Sequence, residues 1–524
     1  MNEHRLFWPE DPKDEEGWMD LALELSIRWN LPFWFNIRLL ESTPLEPRRI
    51  YITGSIYTTF WTSNYKKLKQ TNTYKTYMQN YLGLYSPTSV LNSTYVEGEF
   101  LVTNDFLTSI HEAAFRKSKN VTTGSMQELD KVLAVGRNET WTDVLNKYFR
   151  QTPPFKRTEK FVLSDSEVLE VIGRLAAKYG SKVMMHQLGW WFVQYYTVMG
   201  YDEAFVFKYG DRALAALMKP LFCESQVEAL FKHALISDHA ESKFPANKRD
   251  VVDAIFVNVA AAAIAKIGES AWLDKDAKNT AIMKISGIVV SLWPRTLSPT
   301  ASNLSSTLPA ETSYFRFWVR EQQRSASLIG TRRYYDESVR LAHNYRDPAF
   351  NYDYVINHLT VAMLALEQPF YVLGGSPAMN YGGLGAGFAQ ALVKAFDSRG
   401  ILHLWDGAVK SWLSNDSVAE YLRRAGCHGK GSHDNIFPEI PGLEVVFRAL
   451  QSESRLSRDS SVNMAGFDSA KMFFVQYCRV ICGLSKSSLK QGCNFALRNF
   501  EPFAQVFDCA IGSPMNPVEK CSFF

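Results

Sequence analysis

The sequence predicts a mainly α protein of two lobes. Apolar residues recur at three- and four-residue spacing along most of the chain, with few strict alternations. At 524 residues, 46% of them hydrophobic and 21% charged, the chain is long enough for two or three domains with substantial cores. Between Ser298 and Thr312 the sequence becomes SPTASNLSSTLPAET, which lacks periodicity and reads as an exposed loop. On this reading the domains are 1–297, a linker at 298–312, and 313–524.

Taken in order, Leu21, Leu25 and Trp29 mark a first helix, and Arg49 to Ile52 and Gly98 to Val102 read as short strands. Val168 to Tyr179 and Asp250 to Ile267 read as helices. The longest apolar run, Ala254 to Ile267, is interrupted by Asn258 and Lys266 and is shorter than the roughly 20 residues that cross a bilayer. It is expected to be a buried helix, and no transmembrane segment is expected. The amino terminus, MNEHRLFWPEDPKDEEGW, is too charged for the apolar part of a signal peptide.

The 57 basic and 54 acidic residues are scattered, so the net charge of +3 offers no block that tracks a phosphate backbone. No nucleic-acid partner is expected. Six of the seven cysteines (Cys427, Cys478, Cys482, Cys493, Cys509, Cys521) lie in the final quarter without zinc-knuckle spacing, which favours disulfides. Sequons at Asn92, Asn120, Asn138, Asn303 and Asn415 are glycosylation candidates and give weak support for an extracellular chain.

There is no GxSxG elbow, P-loop or HExxH. His111-Glu112 lacks a second His one turn on, and Gly382 to Gly387 follows no hydrophobic strand, which argues against a dinucleotide loop. Cys478 and Cys482 are spaced for one helix face but have no matching His or carboxylate. Cys427-His428 with His433 sits in a Gly-rich stretch that reads by default as a disulfided surface loop.

Several separated motifs carry a resemblance. Gln368-Pro369-Phe370-Tyr371 precedes Asn380-Tyr381-Gly382-Gly383-Leu384-Gly385, and the chain closes with Phe507-Asp508-Cys509, Met515-Asn516-Pro517 and Lys520-Cys521. Trp272-Leu273-Asp274, Lys278, Lys284 and Trp293-Pro294 lie upstream, and Leu21 to Ser26 with Pro32 to Phe35 stand near the start. Together these resemble the neprilysin and endothelin-converting-enzyme family of zinc metallopeptidases, with Phe524 where the family ends in Trp. The resemblance implies a helical lobe, a thermolysin-like catalytic lobe with a small β-sheet, and a large central cleft between them.

In the family's register the HExxH positions fall on Gln390, Ala391, Leu392, Val393 and Lys394. An amide and a cation thus stand at the two His positions and a methyl group at the general base, on a helix expected to run on through Phe396-Asp397. Lys394 either takes the metal's place or is a solvated side chain. The third ligand and its orienting carboxylate fall on Asn435 and Glu439 without a gap, or on Asp434 and Pro438 with a one-residue shift. Pro438 and Pro441 are expected to break the helix that presents them. The substrate-gripping motif falls on Ala349 to Tyr352 with only its aromatic kept. Lys486 to Ala496 lacks the family's transition-state His and Arg, with Lys486, Lys490 and Arg498 as loose substitutes.

By resemblance Cys427 pairs with Cys521, while Cys223, Cys482 and Cys509 match cysteines whose partners precede the start of this chain, in a stretch following a membrane anchor. Cys478 and Cys493 are extra. The resemblance implies an extracellular or cell-surface protein. The expectation is a relative that binds peptides, or an active family member, without cutting, and that takes no cofactor although the family's is zinc. The alternatives are a weak metalloendopeptidase with a remodelled site at His433, Asp434 and Glu439, or a truncated product without function.

Overall fold

The computed structural model describes residues 5–12, 17–42, 47–85, 93–116, 121–135, 139–151, 153–295, 313–342, 348–427, 434–456, 468–482 and 492–524. The linker 298–312, the sequons at Asn92, Asn120, Asn138 and Asn303, and His428, His433, Lys486 and Lys490 lie outside the described residues. Asn415 is exposed as the first residue of the helix Asn415–Ala425.

Helices dominate, as the periodicity predicts, and they form two compact units. The first comprises Met1–His233 with Pro299–Val339, the second Ala234–Ser298 with Arg340–Phe524. These units depart from the linear division at 298–312. The helices Ala246–Glu269 and Lys275–Ser286 place Val252, Val259, Ala277 and Ala281 in the second core, whereas Tyr314–Ser327 places Trp318 in the first.

The first unit carries a four-stranded sheet of β1 (Phe35–Leu40), β2 (Arg49–Gly54), β3 (Thr122–Ser125) and β4 (Lys160–Leu163), in the order β1-β2-β4-β3. β2 is the strand expected at Arg49 to Ile52. Gly98 to Val102, also expected as a strand, instead lies within the helix Ser93–Phe115, where Val96, Phe106, Leu107 and Ile110 are buried at helical spacing. The longer period overrides the short apolar run. Around the sheet the core is built of rings: Trp34, Trp61, Trp141, Trp190, Trp191 and Trp318 are all fully buried.

In the second unit β5 (Val289–Ser291), β6 (Phe350–Asp353) and β7 (His358–Val361) form a sheet in the order β5-β7-β6, so β6 is an edge. β7 runs parallel to β5 and antiparallel to β6. The helix Ala246–Glu269 is longer than the apolar run within it. By length and composition it could cross a membrane, which corrects the expectation that it is too short. Its Val252, Ile255, Val259 and Ala263 are nonetheless buried in this unit's core.

Candidate functional site

The site is assembled in the second unit around one short helix, Ala386–Leu392, called the site helix below. It leaves a wide π-type turn at Tyr381–Gly385, so the glycine run is helical backbone, not a phosphate loop. Two close approaches fix its place. A Cβ at Gly387 would collide with the Phe350 ring of β6, so glycine there lets the edge strand lie against the helix. A Cβ at Gly442 would stand 2.9 Å from Gln390 Cγ, so glycine also lets the helix Glu439–Leu456 close on the site helix. From the other side Phe256 stacks on Phe388 at 4.3 Å between centroids.

Gln390 donates through Nε2 to the Tyr477 hydroxyl at 3.2 Å. Burial pushes the Tyr477 hydroxyl up, with the Glu439 charge adding to this and the Gln390 hydrogen bond opposing it. Gln390, Tyr477 and Glu439 therefore meet at one junction. Ala391, which the family resemblance sets at the general-base position, is only 3% exposed and packs in the core. The α-helix stops at Leu392 and residues Val393–Phe396 tighten into a 3-10 turn, which corrects the expectation of a continuous helix. Among the described residues no hydrogen bond or ion pair ties down the half-buried Lys394 side chain.

One carbonyl of the turn, that of Ala395, and two beyond it are held by a single lysine. Lys284, fully buried, donates its ammonium to the carbonyl oxygens of Ala395 at 3.1 Å, Gly400 at 2.5 Å and His403 at 2.7 Å. Asp397 caps the following loop by accepting the Gly400 N–H at 2.7 Å and the Tyr354 hydroxyl at 2.6 Å. Burial raises its carboxyl, with these hydrogen bonds opposing.

Asp434, the third-ligand candidate in the shifted register, accepts the Ser398 N–H at 2.7 Å, the Ser398 hydroxyl, and the Tyr421 hydroxyl at 3.3 Å. It clasps the loop below the site helix. Asn435, the ungapped alternative, donates through Nδ2 to the Cys427 carbonyl at 2.6 Å. Pro438 and Pro441 do not break the helix. It starts at Glu439, leaving Pro438 before it and Pro441 in its first turn, where an N–H has no intrahelical partner anyway.

Ala349 is half-buried and its carbonyl accepts the Ala362 N–H at 2.9 Å. Tyr352 points into the core, 4% exposed, and donates to Asn357 Oδ1 at 2.7 Å, so it is a packing residue. Arg498 lies over the Phe495 ring at 5.3 Å. Cys427 and Cys521 form the expected disulfide, and Cys478 pairs with Cys493, which removes Cys478 as a metal ligand. Cys223 and Cys509 are free thiols. Sequence reasoning gave no role to Lys284, Tyr354, Tyr421 or Tyr477. The recurrence of Phe473, Phe474 and Tyr477 is the sequence signal from which that last helix face could be read as buried.

Two family models, both described as Peptidase family M13, match residues 2–292 and 350–434. Endothelin-converting enzyme 1 of Rattus norvegicus is 22% identical over 428 residues, 73% of this chain and 55% of that protein. Neprilysin-1 of Trittame loki is 21% identical over 429 residues, with 73% and 59% covered. The chain thus spans about half the length of these curated relatives. Among solved structures, inhibitor-bound Mycobacterium tuberculosis zinc metalloprotease Zmp1 aligns with a TM-score of 0.61 at 14% identity, covering 94% of this chain and 81% of that one. PepO of Lactobacillus rhamnosis aligns at 0.58 and 15%, covering 95% and 83%. At these identities the structures establish the fold alone.

The expectation of no cofactor is corrected by these matches, because zinc is the metal of the matched peptidase family. Tested against zinc, Gln390 is committed to Tyr477, Asp434 is committed to Ser398 and Tyr421, and Lys394 brings a positive charge. Among the described residues there is no group of three or more His, Cys, Asp or Glu that would hold a metal ion. These residues therefore do not form a zinc-ligand set, and no chemical step is derived through the metal. With matched models covering more than half of its length and its main features of fold shared with solved relatives, the chain belongs to peptidase family M13.

Proposed function

We propose that this chain binds extended peptides beside the site helix and does not hydrolyse them. The reading is supported by Ala391, which the family resemblance sets at the general-base position and which is a buried methyl group. A positioned base contributes about 10²–10⁴-fold to such reactions, and no carboxylate replaces it on the site helix. Binding is supported by β6, an edge strand held against the site helix by the Gly387–Phe350 contact, with Asn351 exposed on it. An edge strand offers backbone hydrogen bonds to an added peptide strand. The disulfides Cys427–Cys521 and Cys478–Cys493 support work in an oxidising, extracellular setting.

The test measures fluorescence anisotropy of a labelled peptide and cleavage of a quenched-fluorescent peptide, with zinc content by plasma emission in every sample. Wild type is compared with the triple variant Gln390→His, Ala391→Glu, Lys394→His. Saturable binding with no turnover by wild type, whatever its zinc content, is expected. Zinc-dependent turnover by wild type would overturn the reading.

A further inference from the structure

The two disulfides of the second unit differ in how a dissolved thiol can reach them. In Cys427–Cys521 one partner, Cys521, is only 1% exposed and lies in the core. In Cys478–Cys493 both residues are half-buried, so each meets solvent. A disulfide opens when a thiolate attacks one of its sulfurs, and exposed bridges are the labile ones.

The more reachable bridge is also the one joined to the site helix. Cys478 directly follows Tyr477, whose hydroxyl accepts from Gln390 Nε2 at 3.2 Å and donates to the Glu439 carbonyl at 3.5 Å. The helix that carries both, Ser469–Cys482, lies against the turn leading into the site helix: a Cβ at Gly382 would stand 2.6 Å from the Phe473 carbonyl oxygen. Gln476 of the same helix donates to the Pro369 carbonyl. At the other end, Cys493 opens the helix Cys493–Arg498, which buries Phe495, Ala496 and Leu497. Its six residues fall well short of the roughly 12–15 that an isolated helix needs, so it depends on what it is tied to. Asn499, just beyond it, accepts the Cys521 N–H at 2.8 Å. The bridge thus links the helix that touches the site to the helix braced on the carboxy-terminal tail.

We propose that Cys478–Cys493 is a redox switch on the site helix. Closed, it holds Tyr477 against Gln390. Opened by a dithiol reductant, it loosens that junction while Cys427–Cys521 keeps the unit folded. In the opening step one thiolate of the dithiol attacks a sulfur of the bridge and expels the other as a thiolate, and the second thiol then resolves the mixed disulfide. The dithiol is oxidised to its disulfide, and its two protons pass to the Cys478 and Cys493 thiols. The consequence for peptide affinity rests on the binding reading above, whereas amide exchange reports on the junction with no peptide present.

Dithiothreitol titration of the full chain under native conditions tests the switch. Thiols present beforehand, Cys223 and Cys509 among them, are first blocked with N-ethylmaleimide. Newly released thiols are then alkylated with iodoacetamide and located by peptide mass mapping. Cys478 and Cys493 should be released at a dithiothreitol concentration about tenfold lower than Cys427 and Cys521. At that stage amide exchange over residues 386–396 should quicken by about tenfold, and oxidised glutathione should restore it. The double variant Cys478→Ser, Cys493→Ser should show the fast exchange without reductant, and where it does not fold the reversible titration of the wild type decides. Peptide affinity should fall about threefold or more on opening. No peptide binding by the closed form would sink the binding reading and leave the exchange result to decide the switch. Release of all four cysteines at one concentration, or unchanged exchange over 386–396 with Cys478–Cys493 open, would each overturn it.

Discussion

Lys208 in the first unit and Lys284 in the second are both deeply buried, and they are held in opposite ways. In the first, Lys208 is 3% exposed with its ammonium 4.0 Å from the Tyr195 ring centroid, 5.1 Å from Phe222 and 5.4 Å from Phe60. In the second, Lys284 is 0% exposed and donates to three backbone carbonyls. Burial pulls both down, to about 7. Ring faces return little of the lost hydration, whereas three carbonyl acceptors replace a hydration shell. The contrast extends to the units as a whole. Ring packing runs through both cores, but the first has no disulfide among the described residues. The second is tied by Cys427–Cys521, Cys478–Cys493 and the Lys284 clamp. A site whose loops are fixed by cross-links and buried hydrogen bonds keeps its geometry even where its reactive groups have changed.

The contrast breaks most visibly on reduction. The Cys427–Cys521 bridge closes a separation of 94 residues, for which chain entropy gives about 4–5 kcal/mol. Differential scanning calorimetry with a reductant should lower the melting of the second unit and leave that of the first within a degree or two. Equal loss in both would show that the units do not melt independently. Next in size, Lys284→Met leaves the Ala395, Gly400 and His403 carbonyls without their donor and should cost about 3–5 kcal/mol. It should also release the 3-10 turn, read as faster amide exchange at Asp397 and Gly400.

Lys208→Met should have the opposite sign. The folded lysine, near 7, lies below its ordinary value of 10.5, so between those pH values the unfolded chain carries the extra proton and wild-type stability rises with pH. At pH 7 the wild type bears the cost of that burial and the methionine variant does not. The variant should gain roughly 2–4 kcal/mol at pH 7, shrinking towards zero near pH 10.5. Urea unfolding at pH 7, 8.5 and 10 measures the gap, and a constant gap would mean that Lys208 stays charged on its rings.

Much of this was legible in the sequence, and the reason differs by feature. The glycine run, the Cys427–Cys521 pair and the helical period are local patterns or strong motifs, and they read through. Gly98 to Val102 misread as a strand because five residues cannot outweigh the 23-residue period around them. The third-ligand position stayed open between Asp434 and Asn435 because the answer lay in the partners of each side chain, Ser398 and Tyr421 for one and Cys427 for the other. The hold on the 3-10 turn at Val393–Phe396 was invisible because the Ala395 carbonyl accepts from Lys284, more than a hundred residues away in sequence.

The smallest predicted effects come from two glycines whose substitutions should move stability in opposite directions. Gly98 sits exposed in the helix Ser93–Phe115 with nothing within 4 Å of a would-be Cβ, so Gly98→Ala should stabilise the first unit by about 0.5–1 kcal/mol through helix propensity alone. In Gly442→Ala the added methyl meets Gln390 Cγ at 2.9 Å and Gln390 Cα at 3.2 Å, both on the packed site helix. Overpacking there should cost about 1–2 kcal/mol and shift Gln390 away from Tyr477. If the site helix also sets the lie of β6, peptide affinity should fall with it while Gly98→Ala leaves affinity untouched. A Gly442→Ala protein as stable as wild type, with full peptide affinity, would mean that the junction of Gln390, Tyr477 and Glu439 is looser than this contact implies.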